Sequence, residues 1–242
     1  MKNLESTEIT NNLLSDISSN DIAIFKSATA EQVLKTVNLD GETFADEYTG
    51  VAELLLACNE KQPQMYTIAE DKRTGELLGY VNMILVEDEN FEKILSGEIA
   101  DNEINADIIA DIEIGGRYNV WGWGALVHED LRKNPQSPNP VIANGEVWKS
   151  LSQAAFAEKF DEMEKHGITI DKIGGENTPD GRKMAEKIFG AMPVSAEKIS
   201  SDGTPMVMMS TTREKQKAFL NAISQKSPSI STILNDDFQI TK

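Results

Sequence analysis

The chain is poor in the residues that make metal centres and covalent cross-links. Among 242 residues there is one cysteine, Cys58, and there are two histidines, His128 and His166. A lone thiol excludes internal disulfides and cysteine-based zinc clusters, and so few imidazoles argue against a transition-metal enzyme. No apolar run approaches the roughly 20 residues of a membrane span. The amino-terminal stretch MKNLESTEITNN lacks the apolar segment of a signal peptide, so the expected location is the cytoplasm, away from membranes. Positive charge is scarce as well: 23 Lys and Arg stand against 40 Asp and Glu, a net charge of −17. Direct nucleic-acid binding needs clustered cations and is therefore excluded; a cationic small molecule or a basic protein is the favoured partner. Proline- or glycine-rich linkers and internal repeats are absent too, which leaves one domain with appendages.

Much of the acid lies between Glu87 and Glu113, where ten carboxylates (Glu87, Asp88, Glu89, Glu92, Glu98, Asp101, Glu103, Asp107, Asp111 and Glu113) accompany a single base, Lys93. Such a run reads either as a solvated face or as a docking surface for a basic macromolecule. Around it the periodicities alternate. DIAIFKSAT (21–29) reads as a strand, while AEQVLKTVN (30–38) and ETFADEYTGVAELLLACNE (42–60) carry apolar residues at helical spacing. MYTIAED and ELLGYVNMILVED form a hairpin about KRTG. A short helix around FEKIL sits in the acidic insertion, 88–105. Strand-like DIIADIEI and NVWGWGALV follow. The clearest helix is 145–167, bounded by Asn144 and Gly167. Strand ITIDKIG, helix PDGRKMAEKIF and strands MPVSAEKI and TPMVMMSTT complete a domain from 21 to 212. Residues 1–20 read as a flexible leader and 213–242 as a helix and polar tail.

That order predicts an α/β fold with a mixed central sheet flanked by helices. It also resembles the GNAT superfamily of N-acetyltransferases, which move an acyl group from acyl-coenzyme A, usually to an amine. FKSATAEQ and LDGETFADEY resemble the family's first strand and opening helices, and IAEDKRTGELLGYV its second and third strands. ALVHEDLR resembles the end of the fourth strand running into the coenzyme loop. GGENTPDGRKMAEKIFGAMPV resembles the fifth strand, fourth helix and start of the sixth strand.

The resemblance implies a fourth and fifth strand splayed apart, with backbone groups near Leu126 and Val127 binding the pantetheine arm of acetyl-CoA and the following loop wrapping its pyrophosphate. That loop usually reads Arg/Gln-x-x-Gly-x-Gly/Ala. Aligned from Arg132, its two glycine positions hold Pro135 and Ser137, and a proline has no N–H to donate. Arg132 and Lys133 remain as side-chain cations for phosphate. Asn177 matches a family asparagine after the fifth strand; its other reading is a helix cap before Pro179. Glu113, Glu129 and His128 are the candidate bases. The tyrosine that protonates the leaving thiolate in the family matches Ala185, and no tyrosine follows Tyr118; Tyr80 and Tyr118 lie on neighbouring strands, where packing is the simpler role. Trp121 and Trp123 share one strand face, opposite Gly122 and Gly124, as core or as the wall of an acceptor pocket.

Two functions follow from the resemblance: an acyl-CoA-dependent N-acyltransferase for a cationic amine, or a catalytically inactive GNAT-like scaffold or acidic decoy that binds a basic protein. A loop short of N–H donors predicts that acetyl-CoA binds in the micromolar range or more weakly, and that Arg132→Glu weakens it further. Isothermal titration checks this; submicromolar affinity indifferent to the charge reversal counts against the loop assignment.

Overall fold

The computed structural model describes residues 19–44, 51–128, 131, 147–148, 150–186, 190–212, 214–215 and 218. Most of the proposed leader, most of the coenzyme loop and most of the tail lie outside them. The strands are β1 (Ile22–Phe25), β2 (Tyr66–Asp71), β3 (Leu77–Val86), β4 (Arg117–Val127), β5 (Thr169–Asn177), β6 (Met192–Pro193), β7 (Lys198–Ile199) and β8 (Pro205–Thr212). They form one sheet in the order β1-β2-β3-β4-β5-β8-β6, with β7 also paired to β8. Every pairing is antiparallel except β4 with β5. This is the GNAT-like mixed sheet flanked by helices that the sequence order implies.

Each face of the sheet has its own apolar cluster. On one face Val81, Met83, Val120 and Met209 pack against Leu151, Ala155, Phe156, Phe160 and Met163 of the long helix. On the other, Tyr80, Ile84 and Trp121 pack against residues of α1 (Ala30–Gly41), α2 (Ala52–Lys61) and α3 (Asp88–Ser96). Helix α1 starts where it does because Thr29 and Gln32 form a capping box: the Thr29 Oγ1 accepts from the Gln32 N–H at 3.2 Å, and the Gln32 side chain accepts from the Thr29 N–H at 2.9 Å. Such a cap contributes about 1 kcal/mol and shortens the expected strand 21–29 to four residues.

Two expected elements take other forms. DIIADIEI (107–114) forms turns and extended chain in place of a strand. Its apolar alternation is satisfied differently: Ile109, Ala110 and Ile112 are buried, while the Gln62 side chain fills the place of a ladder. The Gln62 amide donates to Leu85 O and Ala110 O at 2.9 and 2.8 Å and accepts from the Leu85 N–H at 2.9 Å. The long helix is not uniformly α. A π-helical segment, Gln153–Glu158, runs into α4 (Lys159–Lys165), a kind of widening often found at functional sites.

The junction between these helical pieces holds a buried lysine. Lys159 donates to the backbone carbonyl of Gln64 and, at 2.8 Å, to that of Tyr66. Burial pushes its ammonium down to about 7, against the pull of Glu162. Nearby Lys26 pairs with Glu158 and Glu162, so the helix is pinned to the strands from two sides.

Close strand packing leaves little tolerance at Gly79, where an added Cβ would lie 2.6 Å from Leu126 O and 3.1 Å from Leu151 Cδ1. Gly79→Ala is expected to destabilise the protein by about 1–3 kcal/mol through overpacking against backbone. Gly122→Ala, whose Cβ would meet only Gly174 O at 3.5 Å, is expected to leave stability nearly unchanged. Denaturant titration of the two variants makes the comparison, and equal loss in both would contradict it.

Candidate functional site

The parallel ladder runs from Arg117↔Thr169 to Gly122↔Gly175 and stops. Beyond it β4 continues to Val127 against β3 alone, and β5 continues to Asn177 against β8 alone. Opposite Asn82 and Met83 on β3, β4 carries an extra residue, Trp123, as a bulge, which bends the strand and increases its twist. The two strand ends part, and a cavity of about 170 Å³ opens between them.

This cavity crosses the sheet. Val81, Met83, Phe156, Ala185, Ala191 and Met209 line it on the face covered by the long helix, and all belong to that face's apolar cluster. Asn82, Trp123, Phe44, Asp101 and Glu176 also line it, and Trp123 and Phe44 pack with the opposite cluster. One end is therefore apolar and the other acidic. Gly122, Gly174 and Gly175 form the waist; a Cβ on Gly175 would come 3.0 Å from Gly122 O. Gly122 and Gly175 narrow the passage least, while Gly174 makes room for Phe91, whose ring would come 2.8 Å from an added Cβ.

Asp101 is the central acid. The Trp121 indole donates to its Oδ1 at 3.2 Å, and the Trp123 side chain hydrogen-bonds it too. Burial, with contributions from the charges of Glu176 and Asp40, pushes its carboxyl up to about 7 despite those two donors. Trp121 is fully buried, edge-on to Phe91 with centroids 6.2 Å apart. The shared face of the two tryptophans thus serves as core and as a donor pair for one carboxylate. Behind it, the buried Tyr80 hydroxyl donates to Asp40, whose carboxyl is raised by burial to about 7. A Cβ on Gly124 would lie 2.8 Å from the Tyr80 oxygen, so this glycine makes room for the tyrosine.

The residues singled out from sequence fall in several places. Asn177 lines the cavity, its Nδ2 donating to Gly175 O at 2.8 Å. The cap of α5 (Pro179–Met184) is instead Thr178, which accepts from the Gly181 N–H at 3.3 Å. Leu126 and Val127 pair with Tyr80 and Gly79 and do not line the cavity. His128 follows β4, its N–H donating to Leu78 O at 2.8 Å. Glu113 is exposed before the far end of β4, where its N–H donates to the Tyr118 hydroxyl at 2.8 Å. Glu129, Arg132 and Lys133 lie outside the described residues. Ala185 lines the cavity as small apolar surface.

The acidic segment stays largely at the surface, tied to β5 and α2 by ion pairs. Lys172, from β5, pairs with Asp88 at 3.1 Å and Glu92 at 2.7 Å, and Lys61 pairs with Asp111 at 3.3 Å. Asp101 turns inward to the cavity. The available signal was the Trp-x-Trp pair itself: two indole N–H groups on one buried face require an acceptor, and the carboxylate-rich insertion is the nearest supply.

No family profile matches the chain, and no curated protein matches it. Among solved structures, the loading GNATL domain of CurA from Lyngbya majuscula superposes with a TM-score of 0.49 at 11% identity, over 79% of this chain and 97% of that one. The NatC complex bound to Gag peptide and CoA gives 0.47 at 13% identity, over 79% and 98%. A CoA-dependent acyl-homoserine lactone synthase, BjaI, gives 0.45 at 11% identity, over 89% and 94%. At these scores the strand order, not the likeness, defines the class as a GNAT-like α/β fold. Among the described residues, no helix is long and apolar enough to cross a membrane and no group of side chains is arranged to hold a metal.

Asp40 offers a check on the buried acids. Its raised pKa means that the folded state keeps a proton that the unfolded chain, at about 3.8, has lost. Between those values stability falls as pH rises. Asp40→Asn, which can still accept from Tyr80, is expected to flatten that fall, with a gain of order 2–4 kcal/mol above pH 7 and little gain at pH 4. Melting temperatures across this range decide it; a variant curve parallel to wild type would refute the assignment.

Proposed function

We propose that the protein transfers an acyl group from an acyl-coenzyme A thioester to an amine, the two substrates meeting at the glycine waist between β4 and β5. The carrying observation is the cavity with an apolar end and an acidic end, opened by the divergence of the parallel pair β4 and β5. The apolar half suits a pantetheine arm and its acyl group. Gly122, Gly124 and Ala125 present strand backbone to it without obstruction, and Asn177 sits at the β5 side. Arg132 and Lys133 remain the proposed phosphate cations. Acetyl-CoA is the natural first donor to test.

Coenzyme A supplies the activated thioester carbonyl. Asp101 takes a proton from the acceptor ammonium, freeing the nitrogen lone pair to form the new C–N bond as the C–S bond breaks; the second proton shed by that nitrogen goes to the departing thiolate, which leaves as the free thiol. A base works best with a pKa near the working pH, and Asp101 stands at about 7. We therefore place it ahead of Glu113, which lies away from the cavity, and of His128 and Glu129, for which no such placement supports the role. The two indole donors hold the carboxylate in position and limit how far burial raises it. The alternative reading, a non-catalytic scaffold for a basic partner, draws support from Ala185, which leaves the usual proton donor to the thiolate unfilled.

Thiol release from acetyl-CoA in the presence of a primary amine tests the proposal. Expected is a kcat/KM that rises with pH through about 7 and levels above it, because only ionised Asp101 accepts the proton. Asp101→Asn should reduce it by about 10²–10⁴ while acetyl-CoA affinity is retained. Turnover absent at every pH, with the coenzyme bound, would favour the scaffold.

A further inference from the structure

We propose that the apolar end of the cavity is an acyl-chain pocket, and that the donor it takes is a coenzyme A thioester of a linear, medium-length acyl group in place of acetyl. The proposal rests on the acyl-transfer reading and names its donor; Ala185 and Ala191 set the length of chain that fits.

Three observations carry it. First, the lining on the far side of the glycine waist is hydrocarbon and thioether from five separate stretches: Val81 and Met83 from β3, Phe156 from the π-helical segment, Ala185 from the end of α5, Ala191 from just before β6, and Met209 from β8. All are buried and belong to one apolar cluster. Thr211, which also lines the cavity, is engaged within the protein. A pantetheine arm carries amides, and buried amides need partners. These six side chains provide none, so the amides belong along the side of β4 that β5 leaves beyond Gly122. The recess itself suits methylenes, which need no partner and are favoured out of water.

Second, the two smallest side chains of the lining stand together, because the Ala191 N–H donates to Ala185 O at 3.1 Å. Two methyl groups at this end, where larger side chains would fill it, give the recess its depth. Third, the rest of the wall is adaptable. Met83 and Met209 are unbranched and conform to irregular hydrocarbon, and Phe156 stands in the π-helical widening, a feature frequent at functional sites. Acetyl would offer this recess a single methyl.

Volume narrows the class further. About 170 Å³ is room for on the order of ten water-sized groups. With the reacting carbonyl and the amine at the waist, a tail of roughly four to six carbons fills the apolar end.

Isothermal titration of the full chain compares acetyl-, butyryl-, hexanoyl- and dodecanoyl-CoA, and thiol release in the presence of a primary amine is followed for the same series. Expected is a rise in affinity of up to about fourfold per methylene, roughly tenfold or more from acetyl to hexanoyl, and a fall at dodecanoyl as the pocket overfills. Affinity that climbs on through dodecanoyl is unspecific adhesion and overturns the proposal. Ala185→Leu should bring the hexanoyl-to-acetyl ratio close to one, and Ala191→Val should lower it in the same direction; a ratio unchanged in both folded variants also overturns it. Equal wild-type affinity for acetyl- and hexanoyl-CoA, with thiol released from both, overturns the pocket and leaves acyl transfer standing. Selective hexanoyl-CoA binding without thiol release supports the pocket and overturns acyl transfer instead.

Discussion

The parallel pairing of β4 with β5 ends at Gly122 and Gly175, and the arrangement of the rest depends on that termination. Were the ladder to continue, the sheet would be closed and the two apolar clusters would be separated by backbone. Its end opens a route from one face to the other, and each face supplies a different lining. The bulge at Trp123 turns two consecutive residues, Trp123 and Gly124, toward the same side, so an indole reaches Asp101 while the glycine yields space to Tyr80. Small residues at the waist and large ones around it follow from this one geometric event.

Buried charge is the second theme of the site. Asp40 and Asp101 are both pushed up to about 7 in a protein of net charge −17. Carboxylates withdrawn from water raise the energy of their own charged form and strengthen the attraction for any cation that replaces the lost solvent. The stability forgone by burying them is the counterpart of the affinity offered to a ligand. On the other face the same physics acts with the opposite sign on Lys159, whose ammonium is held by two carbonyls where a neutral chain would leave them bare.

Much of the fold was legible in the sequence because the signals were local. The KRTG turn, the alternation of NVWGWGALV and the helical spacing of 145–167 each depend on residues close together in the chain, and the order of elements pointed to the right sheet. Legibility failed where a distant side chain replaced a local rule. DIIADIEI alternates like a strand, yet its carbonyls at Ile109 and Ala110 are taken by the side chains of Lys61 and Gln62. The site was harder for the same reason. Asp101 sits in a run of carboxylates whose members look alike in one dimension, and only the tryptophans, twenty and more residues on, distinguish it. Glu113 belongs to the same run and ends in solvent. The position of Asn177 beside the cavity follows from neighbours that define a strand-to-helix turn.

Cys58, fully buried on α2 with its thiol raised by burial to about 11, is unreactive for two independent reasons: reagents cannot reach it and almost none of it is thiolate at neutral pH. It is also the chain's single sulfhydryl. Its slow chemistry is therefore a clock set by the lifting of one helix, recording the breathing of the covering beside the acidic half of the cavity without any label having to be introduced.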